Sequence, residues 1–118
     1  MHELSKLEFS MLERLATKCP FVKEHIPFLK VGSREKTGVG MYVNFNCKNS
    51  PKELRADIGT SNISTNEIIE IEGLKHGLGY EVDITDGRIK FMEIFTYGEE
   101  WNGITGDQFN FTKWIQKK

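Results

Sequence analysis

The sequence predicts an α+β domain, an N-terminal helix packed on an antiparallel β-sheet of about four to six strands. Three observations carry that prediction. Apolar residues in segment 3–18 recur with a helical period, those in 38–47 and 78–96 largely alternate, and Asp86-Gly87 marks a hairpin between two apolar-rich runs. At 118 residues, with 38% hydrophobic and 28% charged, the chain reads as one domain, 1–118, with core enough to fold without metal or disulfide.

The helix comes first. Leu4, Leu7, Met11, Leu12 and Leu15 form one stripe over residues 3–18, with Glu3 and Glu8 toward the start and Lys18 at the end, as the helix dipole favours. Pro20 limits continuation. Segment 21–31 is ambiguous, because Pro27 restricts it to an edge strand or an irregular path. His25 within it has no neighbouring ligand residue and reads as a surface or cap histidine. Residues 32–37 read as a polar turn. The strand at 38–47 places Val39, Met41, Val43 and Phe45 on one face, with Tyr42, Asn44 and Asn46 on the other. Residues 54–58 suit a short strand, 59–66 a polar loop, and 67–72 a strand with Ile69 and Ile71 inward. Residues 107–118 suit a last strand or a docked tail.

The hairpin gives the sharpest expectation. Asp-Gly favours a type I′ turn, which needs positive φ at both central residues. If Asp86 and Gly87 form the loop, Thr85 pairs with Arg88, Ile84 with Ile89, Val82 with Phe91 and Tyr80 with Glu93. The core face then holds Leu78, Tyr80, Val82, Ile84, Ile89, Phe91, Glu93 and Phe95. That count puts a carboxylate, Glu93, on the apolar side.

Several function classes find no support. There is no P-loop, dinucleotide fingerprint, HExxH, EF-hand or GxSxG pattern, so the sequence implies no cofactor and no metal. Cys19 and Cys47 stand apart from any Cys/His cluster and read as free thiols, with a mutual disulfide the lesser alternative. No apolar run approaches the roughly 18 residues of a membrane span, and the N-terminus lacks the basic and apolar regions of a signal peptide. The expected setting is cytoplasmic, without membrane partners.

Charge is uneven. Residues 1–58 hold ten basic and seven acidic side chains, whereas 67–107 holds three basic and ten acidic. An acidic half argues against nucleic acid there and for a basic partner. Tyr97, Glu99, Glu100 and Trp101, close to Glu81 and Asp83, combine aromatic anchor types with carboxylates and are the expected partner-binding residues. The alternative for Trp101 is a lid folded back on the core.

The run DGRIKFMEIFTYGEEW, Asp86 to Trp101, resembles a pattern near the C-terminus of many small bacterial proteins, a number of which look like immunity proteins of contact-dependent or polymorphic toxin systems. Asp86, Gly87, Glu93, Tyr97, Gly98 and Trp101 carry the resemblance. It implies structural roles for Asp86, Gly87 and Glu93, with Glu93 bonding the backbone near Tyr97 and Gly98. The function expected is a non-enzymatic inhibitor that neutralises a cognate toxin domain, a basic nuclease, through the acidic half. The alternative is a small-molecule-binding or hydrolytic enzyme with Glu93, Tyr80 and His76 in one pocket, where burial would raise a carboxyl pKa.

Overall fold

A computed structural model describes residues 2–46, 59–103 and 108–113. The apolar stripe forms α1, Lys6–Lys18, with Leu7, Met11, Leu12 and Leu15 no more than 3% exposed. Helix α1 begins at Ser5 because Ser5 and Glu8 cap it reciprocally. The Glu8 amide donates to Ser5 Oγ at 3.1 Å, and the Ser5 amide donates to Glu8 Oε1 at 2.8 Å. Glu8 is also buried, and both of its oxygens accept from the Arg34 guanidinium at 2.8 Å. That fork pins the start of the helix to the first strand.

The ambiguous segment after Pro20 resolves as a short helix, α2, Phe21–His25, and a 3-10 turn, Ile26–Phe28, that takes Pro27 at its start. His25 is not the surface residue expected. Val22 and His25, three apart, share the buried face of α2, and His25 is 1% exposed, with Nδ1 3.0 Å from the Phe21 carbonyl oxygen.

Among the described residues seven strands follow: β1 Lys30–Lys36, β2 Gly40–Asn46, β3 Ser61–Ile63, β4 Glu67–Ile71, β5 Leu78–Thr85, β6 Arg88–Thr96 and β7 Phe109–Lys113. They lie in the order β1-β2-β6-β5-β4-β7, with β3 sharing an edge of β5 with β4, and every pairing is antiparallel. The α+β expectation holds. The strand count exceeds it because stretches expected as turn and loop, within 32–37 and 59–66, also pair: β1 runs from Lys30, in the segment that allowed an edge strand, on into the expected turn, and β3 forms within the expected loop. Strand β1 was hidden by its charges, which are typical of a sheet edge. Val39, expected inward, sits in the β1–β2 turn and is 51% exposed. The strand expected at 54–58, Cys47, and Trp114 with Ile115 lie outside the described residues.

The hairpin turn forms as expected. Asp86 and Gly87 have φ of 52° and 76°, and Thr85–Arg88 and Ile84–Ile89 pair. The register then shifts. The next pair is Asp83–Phe91, which leaves Lys90 as an extra residue in β6. From that bulge on, Val82 pairs with Met92, Tyr80 with Ile94 and Glu81 with Glu93. A one-residue slip moves every later side chain to the other face. So Phe91, Glu93 and Phe95, expected in the core, lie on the outer face, while Met92 and Ile94 are fully buried and Thr96 is 8% exposed. The bulge removes the buried carboxylate that an unbulged hairpin would impose.

Candidate functional site

Helix α1 packs on one face of the sheet, and Val22 of α2 joins the same core. The Tyr80 hydroxyl reaches the Met11 carbonyl oxygen at 3.3 Å and lies 2.9 Å from Thr65 Oγ1. Burial pushes this phenol up to about 12. The opposite face carries a different set of residues. Directly opposed antiparallel residues share a face, so the pairs Glu35–Tyr42, Tyr42–Glu93 and Glu93–Glu81 form one row across β1, β2, β6 and β5. Neighbouring strands lie about 4.8 Å apart, which places three carboxylates and a phenol in a line.

A second row, toward the hairpin turn, reads Ser33, Asn44, Phe91, Asp83 and Asn62. On the other side of the acidic row, Phe95 faces Gly79. A Cβ at Gly79 would fall 2.5 Å from both the Phe95 ring and the Tyr97 hydroxyl, so the two aromatic side chains occupy the space that this glycine leaves open. Phe95 and Tyr97 meet edge to face at 5.8 Å, as do Tyr42 and Phe91 at 5.9 Å. Together they make an aromatic platform interleaved with carboxylates.

The electrostatics of this face are unbalanced. Among the described residues, no lysine, arginine or histidine forms an ion pair with Glu35, Glu81 or Glu93. Glu81 and Glu93 stand directly opposite each other, an arrangement that costs stability. Glu93 beside the Tyr42 hydroxyl holds that phenol above its ordinary value, with smaller effects from burial and from Glu35. Asp83 is engaged locally, accepting from Thr85 Oγ1 at 2.6 Å.

The expected partner-binding residues therefore divide. Glu81, Asp83 and Tyr97 share the outer face, where Tyr97 is 38% exposed. Glu99 instead serves the fold. Its carboxylate accepts from the His76 amide at 2.8 Å and the Lys75 amide at 2.9 Å, and these two donors hold its pKa below the usual carboxylate value. Trp101 is 6% exposed and belongs to the core, with its amide donating to the Gly38 carbonyl at 2.8 Å. It is the lid rather than an exposed anchor, so Trp101→Ala reports on folding. Glu100 is exposed beside it.

The sequence reading missed Tyr42, Phe91, Phe95 and Glu35 as members of this face. Tyr42 was legible from strand alternation, whereas Phe91 and Phe95 needed the bulge and Glu35 needed β1. The expected bond from Glu93 to the backbone near Tyr97 and Gly98 is replaced by the pairing with Tyr42 and Glu81. The trio imagined for an enzyme does not meet: Tyr80 is buried beneath α1, Glu93 is on the outer face, and His76 is exposed in the β4–β5 turn.

Among the described residues, no group of three or more His, Cys, Asp or Glu is placed to hold a metal ion, and no described helix is long and apolar enough to cross a membrane. No family model, curated protein or solved structure matches the chain.

Proposed function

We propose that this protein is a non-enzymatic inhibitor of the immunity-protein kind, which neutralises a basic toxin domain, a nuclease, by binding it through the outer face of the sheet. One observation carries the reading: the Glu35–Tyr42–Glu93–Glu81 row, flanked by Phe91, Phe95 and Tyr97, has no ion-pair partner among the described residues. Opposed glutamates weaken a sheet. A basic partner would turn that repulsion into attraction, because its cations sit between carboxylates already held in place. The half-buried rings supply rigid apolar area that loses little side-chain freedom on binding. The inhibitor acts by occlusion, its carboxylates taking the positions that substrate phosphates would occupy on a nuclease.

The test is protection in cells. The chain is co-expressed with basic nuclease toxin domains, as wild type and as Glu81→Lys/Glu93→Lys. Wild type restores growth, and the double variant, folded by circular dichroism, does not. Equal protection by both would remove this face from the mechanism.

A further inference from the structure

At one end of the sheet a second feature is built from three loops. Residues 37–39 of the β1–β2 turn, 72–74 of the β4–β5 turn and 100–102 after β6 line an open cleft of about 640 Å³. Its apolar lining is Val39, Leu74 and Trp101. Val39 is half-exposed there, one of three large hydrophobic residues exposed among the described residues. The charged lining is Glu72 and Glu100, and among the described residues no lysine, arginine or histidine lines the cleft.

The walls are fixed to one another. The Trp101 amide donates to the Gly38 carbonyl at 2.8 Å, and Thr96 donates through its amide and hydroxyl to the Val39 carbonyl at 2.9 and 3.0 Å. The Thr96 hydroxyl also lies 2.6 Å from the Glu99 carbonyl oxygen. The Glu99 carboxylate in turn holds the amides of Lys75 and His76. The cleft is thus preformed, and filling it orders little further chain.

We infer that this cleft receives one arginine side chain of the basic partner, its stem on Val39, Leu74 and Trp101 and its guanidinium between Glu72 and Glu100. Arginine fits better than lysine because its flat, weakly hydrated guanidinium packs on apolar and aromatic surface while its forked N–H groups meet two carboxylates. The inference rests on the basic-partner reading above, but its test needs no partner.

The probe is N-acetyl-arginine amide, titrated into the full chain and followed by NMR at the Trp101 indole and Val39 methyl signals. N-acetyl-citrulline amide at matched ionic strength is the uncharged control. Arginine produces saturable shifts at these two residues and citrulline does not. Binding weakens about tenfold or more in Glu72→Gln/Glu100→Gln and is unchanged in Glu24→Gln, on α2, which does not line the cleft. An unsaturable response, an equal response to citrulline, or full binding by the cleft variant overturns the assignment. Failure of the wider reading looks different: the probe still fills the cleft while Glu81→Lys/Glu93→Lys protects cells normally.

Discussion

On one side of the β5–β6 hairpin, Leu78, Tyr80, Val82, Met92 and Ile94 are at most 1% exposed on the face that α1 covers. On the other side of the same two strands, Phe91, Glu93 and Phe95 are half-buried, and Glu81 and Glu93 oppose each other with no cation between them among the described residues. The core face is resolved by packing. Its phenol has a partner, and the buried Glu8 on the α1 side has its arginine. The outer face retains a repulsion that folding gains nothing from. Stability explains the first arrangement, whereas the second is what the basic partner proposed above would account for.

Breaking the core side has the largest expected effect. Met92→Ala costs about 2–5 kcal/mol as a buried large-to-small change, while its outer-face neighbour Glu93→Ala stays within about 0.5 kcal/mol. Urea denaturation of both variants reads the contrast, and equal losses would erase the distinction between the faces. Glu8→Ala removes the helix cap and strands the Arg34 guanidinium. Because Arg34 remains partly exposed, the expected cost is about 2–3 kcal/mol, read by the same melts.

Tyr80 tests burial through pH. Its pKa rises from 10.0 in the unfolded chain to about 12 in the folded one. The neutral phenol is therefore favoured by folding, so stability is full below pH 10 and falls as pH rises from 10 toward 12. Tyr80→Phe flattens that alkaline limb, and an unchanged limb would place the titrating group elsewhere. Gly79→Ala presses against the Phe95 and Tyr97 side chains and costs about 1–3 kcal/mol by overpacking. Its circular dichroism in the aromatic region changes while the far-ultraviolet spectrum does not. Smallest of all, Glu81→Gln relieves the Glu81–Glu93 opposition and leaves the melting temperature level or slightly higher, most visibly at low salt.

Much of the architecture was legible in the chain. The α1 stripe, the β2 alternation, β4 and the Asp86-Gly87 turn follow from local periods and turn chemistry, which are sequence properties. The misreadings share another cause. Strand β1 is an edge, where charged residues such as Arg34, Glu35 and Lys36 are tolerated. The α2 helix is too short for a period to show. The bulge at Lys90 is set by the pairing of two strands, and it inverted the assignment of Phe91 through Phe95 in one step. The oddity of Glu93 on an apolar face was the signal for it: a charge that breaks alternation also marks a possible register shift. The site was half legible for the same reason. Glu81, Asp83 and Tyr97 could be named from the sequence, but the cross-strand row that unites Glu35, Tyr42, Glu93 and Glu81 exists only once the sheet is assembled.

The central claim is that the outer face is the binding face. Calorimetric titration of a basic nuclease toxin domain that the wild type neutralises tests it directly, with wild type, Glu81→Lys/Glu93→Lys and the core-side control Met92→Leu compared at two salt concentrations. The account predicts that affinity falls about 100-fold or more in the double lysine variant, in line with the several kcal/mol of like-charge contact, while Met92→Leu binds as wild type does and wild-type binding weakens with salt. Unchanged affinity in the lysine variant, at an unchanged melting temperature, would contradict it.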